Sequence, residues 1–184
     1  MSSESPFVAH TKSWIEKIII GCNFCPFAAK PYRLNQIEYR LAGTEEVEGI
    51  LEKVIESCVF LDHTVEIETL LLILPTGFED LEKYLDLTIL AEDLLLLQGY
   101  EGVYQIASFH PVYQFEDAEA DDAANYTNRS PYPMLHLLRE ESISKALEHF
   151  EGAEEIPERN IEFARAKGMQ FMKVLRDSCF QNFS

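Results

Sequence analysis

The sequence predicts an α/β fold, a small mainly parallel or mixed sheet of three to four strands packed with five to six helices. Three stretches carry that prediction. Residues 37–41 alternate Ile37, Tyr39 and Leu41 against Glu38 and Arg40, the period-two pattern of a half-exposed strand. Residues 69–74, TLLLIL, are continuously apolar and stop at Pro75-Thr76-Gly77, which suits a strand buried on both faces. Residues 103–109 form a third strand after a long helical pattern, so strand, helix, strand, helix, strand implies two crossovers. A ferredoxin-like α+β arrangement with an antiparallel pair is the alternative. No repeat, linker or composition shift divides the chain, so residues 1–184 read as a single globular domain.

The elements follow in order. Val8 to about Cys22 reads as a helix with Trp14, Ile15, Ile18 and Ile19 on one face, ended by Gly21, Asn23 and Pro26. Thr44 is placed to cap the next helix, with Glu45 and Glu46 favoured at its start. Its apolar stripe is Val47, Ile50, Leu51, Val54, Ile55 and Cys58. Phe78 to Gln98 is the longest helical pattern, with Leu81, Leu85, Ala91, Leu94 and Leu95 expected inward and Gly99 as its stop. After the third strand comes a polar loop, then a short helix carrying His136, Arg139 and Glu140 on one face and Met134 and Leu138 on the other. A further short helix begins at Ser142. Pro157 opens a final one, with Ile161, Ala164, Gly168, Met172, Leu175 and Cys179 as its stripe.

Composition removes several classes of function. With 184 residues and 47% hydrophobic side chains the chain can bury a sizeable core. Fifteen basic against 32 acidic residues leave a formal charge of −17, unsuited to nucleic-acid phosphates or an anionic membrane surface. No basic, apolar leader opens the sequence and no apolar run is long enough to span a bilayer. Cys22, Cys25, Cys58 and Cys179 are scattered rather than arranged as a disulfide framework, so the expected compartment is the cytoplasm. Cys22 and Cys25 form a C-x-x-C, but it follows a helix instead of starting one, and no second ligand pair stands at zinc spacing. Cys25 is therefore expected to be buried and unpaired.

The functional residues concentrate between Val103 and Ser142. His110-Pro111 ends the third strand, where open α/β sheets place ligands. The loop that follows carries Asn125, Asn128 and Arg129 and is stiffened by Pro131 and Pro133. On an enzyme reading, His110 and His136 are the catalytic acid and base. Asn125, Asn128, Arg129 and Arg139 would then bind a small anionic substrate, because a guanidinium suits a carboxylate or phosphate. A metal-assisted variant uses His110, His136 and Glu140 with one of Asp117, Asp121 or Asp122. On the other reading the domain binds an anionic metabolite or a protein partner and catalyses nothing, since no recognisable nucleophile–base order is present. The sequence leaves the cofactor question open. The binding reading makes the polar loop a recognition surface and the histidines hydrogen-bonded supports, whereas the enzyme reading expects His110, Asn128, Arg129 and His136 around one cleft. Arg129→Ala is expected to fold nearly normally, and Leu138→Ala to cost roughly 2–5 kcal/mol.

Four segments carry a resemblance: Phe24-Cys25-Pro26-Phe27, Gln105 to Pro111 (QIASFHP), Thr127 to Pro133 (TNRSPYP) and His136 to Glu140 (HLLRE). Together they resemble domain-of-unknown-function family 1415, an uncharacterised bacterial family, over nearly the whole chain. The resemblance implies a shared fold and a shared site. It implies no reaction. It also implies that only the second cysteine of the C-x-x-C is typical, which argues against dithiol chemistry.

Overall fold

The computed structural model describes residues 4–148 and 150–181. Among them are four strands, β1 (Ile37–Leu41), β2 (Thr69–Ile73), β3 (Tyr104–Phe109) and β4 (Met134–Arg139). Seven α-helices accompany them: α1 (Pro6–Trp14), α2 (Ala29–Arg33), α3 (Val47–His63), α4 (Leu81–Leu97), α5 (Glu140–Glu148), α6 (Ile156–Lys167) and α7 (Met169–Asp177). The strands make one open mixed sheet, ordered β1-β2-β4-β3. β1 and β2 are parallel, and β4 runs antiparallel to β2 and β3. The α/β expectation holds in its mixed form.

One element corrects the sequence reading. Residues 134–139 are not a short helix but the central strand β4. Met, Leu and Arg are good helix formers, yet the segment lies between two strands and three of its side chains, Met134, Leu135 and Leu137, are fully buried. Buried on both faces, it shows no polar–apolar alternation to betray a strand. Alternation of side chains now places His136 beside Met134 and Leu138, with Leu135, Leu137 and Arg139 on the opposite face. His136 and Arg139, expected together, are separated by the thickness of the sheet.

The two crossovers settle where the helices go. β1–α3–β2 and β2–α4–β3 both step across the sheet in the same direction, and connections of one hand then leave both helices on one face. There Ile50, Val54, Cys58 and Leu61 of α3 and Tyr84, Leu87, Ala91 and Leu95 of α4 close over Leu70, Leu72, Leu135 and Leu137. The α4 stripe is turned from the expected one, because Leu85 is exposed and Tyr84 takes the inward position. Tyr84 earns that place through its hydroxyl. It accepts from Phe109 N at 2.9 Å and donates to Met134 O at 2.7 Å, tying α4 to β3 and β4.

The second face belongs to the chain's two ends. α1 runs directly into a π-helical segment, Ile15–Ile20, in which Gly21 N reaches back to Glu16 O at 3.0 Å. Trp14, Ile15, Ile18 and Ile19 are buried there, as expected. The single final helix expected from Pro157 is instead α6 and α7, divided at Gly168, whose φ of 82° ends a helix cheaply only for glycine. Ala164 and Met172 join Trp14, Leu71, Ile73, Met134 and Tyr126 in a second core.

Tyr84→Phe should destabilise the protein by about 1–3 kcal/mol, because the buried Met134 carbonyl loses its donor and the Phe109 N–H its acceptor. Urea unfolding of the variant beside the parent protein measures it.

Candidate functional site

Strand register turns the second face into a lattice. Ile37, Thr69, Leu138 and Gln105 form one row across the sheet, and Tyr39, Leu71, His136 and Ala107 form the next. Leu41, Ile73, Met134 and Phe109 form the last. The helices at the ends of the chain bury Ile73 and Met134 of this last row and Leu71 of the row before it, and Trp14 meets Phe109 edge to face at 5.0 Å. Ile37, Thr69, Leu138 and Gln105, with Leu71, His136 and Ala107, form the floor of an open cleft of about 1310 Å³. That exceeds the ~300–1,000 Å³ usual for small-molecule sites. Ile15 and Ile19 of the π segment form one wall, and Cys25, Pro26 and Phe27 form a corner. Ile143 and Ala146 of α5 and Ile161 of α6 close the rest. The lining is predominantly apolar.

His136 is the polar centre of that floor. Its Nε2 lies 2.6 Å from Thr69 Oγ1, which in turn lies 2.5 Å from Leu137 O. A carbonyl oxygen only accepts, so the threonine's one hydroxyl hydrogen goes to Leu137. Nε2 must then carry the hydrogen of the second short contact, and Nδ1 is left as a bare lone pair. No described side chain hydrogen-bonds to Nδ1, and no buried polar side-chain atom lacks a partner, so Nδ1 is open to the cleft. Burial pushes the imidazole's pKa down to about 4, which keeps it neutral at physiological pH.

The remaining expected site residues are placed differently. His110 is fully buried against the other core, donating from Nε2 to Phe78 O at 2.9 Å and accepting at Nδ1 from Val112 N at 3.2 Å. Both ring nitrogens are engaged, and burial holds its pKa below the ordinary value. Arg129 donates to Tyr113 O and Ala120 O, each at 2.9 Å, and stacks on Tyr126. Asn125 spans the same loop, accepting from Phe115 N and donating to Glu119 O. These three do not line the cleft. They are braces that order the residues between β3 and β4.

Asn128 does border the cleft, although its amide also donates to Ser108 O at 3.3 Å. Arg139 reaches only the cleft's edge. Its guanidinium is spent on Ile67 O, Leu61 O, Thr64 O and the Tyr104 hydroxyl, closing the carboxyl end of α3. The ligand set His110, His136 and Glu140 is dispersed, with Glu140 bordering a separate notch beside Tyr104. Asp122 is engaged as the cap of a 3₁₀ turn, Ala123–Thr127, and in an ion pair with Arg165 at 2.7 Å. Among the described residues no three His, Cys, Asp or Glu side chains are grouped to hold a metal. Cys25 is unpaired as expected but only half-buried, on the cleft wall, and burial raises its pKa so that the thiol form prevails.

A family model described as "Protein of unknown function (DUF1415)" matches residues 6–174. The chain belongs to that family. No curated protein and no solved structure matches this DUF1415 chain. All four segments that carried the family resemblance have cleft residues: Phe24 to Phe27, Gln105 to Pro111, Thr127 to Pro133, and His136 to Glu140. Three floor residues escaped the sequence reading. Thr69 is the polar opening of an otherwise apolar strand, and Gln105 and Ala107 are a polar and a small residue where large apolar ones would fill the face. No helix among the described residues is long and apolar enough to cross a membrane.

Two outcomes follow. Arg129→Ala should lower stability by about 1–3 kcal/mol, contrary to the sequence expectation, because two charge-assisted bonds to loop carbonyls are lost. A thermal melt followed by circular dichroism decides it. His136 is also an acid trigger. Its folded pKa, about 4, lies below the ordinary 6.5, so its contribution to stability is intact above 6.5 and is lost as pH falls through about 4. Stability measured from pH 7 to 4 should fall less steeply in His136→Gln than in the parent protein.

Proposed function

We propose that this protein binds a small, largely apolar molecule in the cleft over the second face of the sheet. One observation carries the reading: about 1310 Å³ of open, mainly apolar space lies over the centre of a sheet whose other face is packed by α3 and α4. A packed interior leaves few voids larger than a water molecule, so space on this scale suits an occupant. The anionic-ligand expectation loses its support, because both arginines offered for it are committed to backbone carbonyls.

Binding is also favoured over acid–base catalysis. A general base works best with a pKa near the working pH, and the only imidazole that lines the cleft among the described residues sits near 4. Cys25 is held as a thiol, and no hydrogen bond joins it to a base among the described residues.

The test is a titration with N-phenyl-1-naphthylamine, an uncharged probe that brightens in apolar surroundings. Saturable binding at one probe per chain is expected, together with its loss in Leu138→Trp, which fills the floor. Leu138→Trp must retain the parent far-ultraviolet spectrum. A folded Leu138→Trp that binds the probe as the parent does would place the probe elsewhere and defeat the reading.

A further inference from the structure

The walls of the cleft accept almost anything apolar, so selectivity must come from its few polar groups. Most of those are already engaged. Thr69 Oγ1 stands between His136 and Leu137 O, Ser142 Oγ donates to Glu68 at 2.7 Å, and Asn160 Nδ2 donates to Phe24 O at 2.7 Å. Asn128 donates from its amide to Ser108 O at 3.3 Å. His136 Nδ1 differs from these, being a lone pair at the floor with no partner among the described residues.

We infer that the ligand carries a single hydroxyl or N–H donor on an otherwise apolar frame, and that His136 Nδ1 reads that donor. This rests on the cleft being a ligand site and adds the chemistry of the ligand's polar end. The Thr69–Leu137 relay fixes the tautomer. With Thr69 giving its hydrogen to Leu137 O, the imidazole cannot move its own hydrogen to Nδ1 without setting two lone pairs against each other at 2.6 Å. At His136 the floor therefore offers an acceptor and not a donor, and the donors of the lining belong to other residues, Gln105 of β3 and Lys30 of α2 among them. A carboxylate or phosphate oxygen would face that lone pair with no hydrogen between them, and an ether would fare no better. Desolvating such a group without a partner costs more than the apolar contact around it returns. The same asymmetry lets a site built for a hydroxyl reject an isostere that lacks one.

Three matched probes separate the cases: 1-naphthol, 1-methoxynaphthalene and 1-naphthoate, titrated by calorimetry. The parent protein should bind 1-naphthol about fivefold or more tightly than either of the others, the worth of one buried hydrogen bond. In His136→Leu and in Thr69→Val the ratio of 1-naphthol to 1-methoxynaphthalene affinity should fall toward one. The second variant keeps the imidazole and frees its tautomer. Long-range ¹H–¹⁵N spectra of the free parent protein should show His136 protonated at Nε2 alone. Equal binding of naphthol and its methyl ether would overturn the inference while leaving the cleft a ligand site. So would a hydrogen on Nδ1, or a naphthol preference that survives in both variants. If none of the three probes binds, the ligand site itself fails and this inference with it.

Discussion

The handedness of two crossovers is the constraint from which the rest follows. Because β1–α3–β2 and β2–α4–β3 step the same way, the two longest helices among the described residues fall on one face and pack against it. Nothing in the β-α-β part of the chain is left for the other face. It depends on α1, the π segment, α6 and α7, drawn from the two ends of the sequence, and they leave much of it uncovered. The cleft is therefore a topological consequence and not a local packing fault. β4, inserted antiparallel between β2 and β3, then sets His136 at the centre of the uncovered surface.

The polar residues divide into those that build this arrangement and those left free to meet a ligand. Most build. Arg139 closes the carboxyl end of α3, Arg129 and Asn125 fold the loop before β4, and His110 fastens that loop to Phe78. Long loops carry many backbone groups that no ladder satisfies, and guanidinium and amide side chains are suited to meeting several at once. Trp14 completes the frame by donating from its indole to Arg129 O at 3.1 Å, joining a cleft wall to the braced loop.

How much of this was legible in the sequence depends on periodicity. β1 was readable from its alternation, β2 from its apolar run and α3 from its 3.6-residue stripe, because each pattern reflects one burial geometry. β4 was not, since MLHLLR is compatible with a helix phase and its two-sided burial erases alternation. Pro131 and Pro133, which bias their predecessors to extended backbone, were the available warning. The site was harder still. A sequence shows that Arg129 and His110 are chemically capable, but not whether their partners are a ligand or the chain's own carbonyls. The cleft gathers residues from the π segment, all four strands, α5 and α6, and its space is a property of what is missing between them. The expected position at the carboxyl end of β3 gave way to the open face of the sheet, and of the two histidines offered only His136 lies there.

Trp14 is the chain's single tryptophan, and it borders the cleft. Energy transfer from Trp14 to bound N-phenyl-1-naphthylamine is accordingly the most direct measurement of whether the uncovered sheet face holds an apolar ligand. Tryptophan emission should fall in step with the rise of probe emission and level off at one probe per chain. Probe emission that rises while Trp14 stays unquenched would put the ligand elsewhere on the molecule and contradict the account.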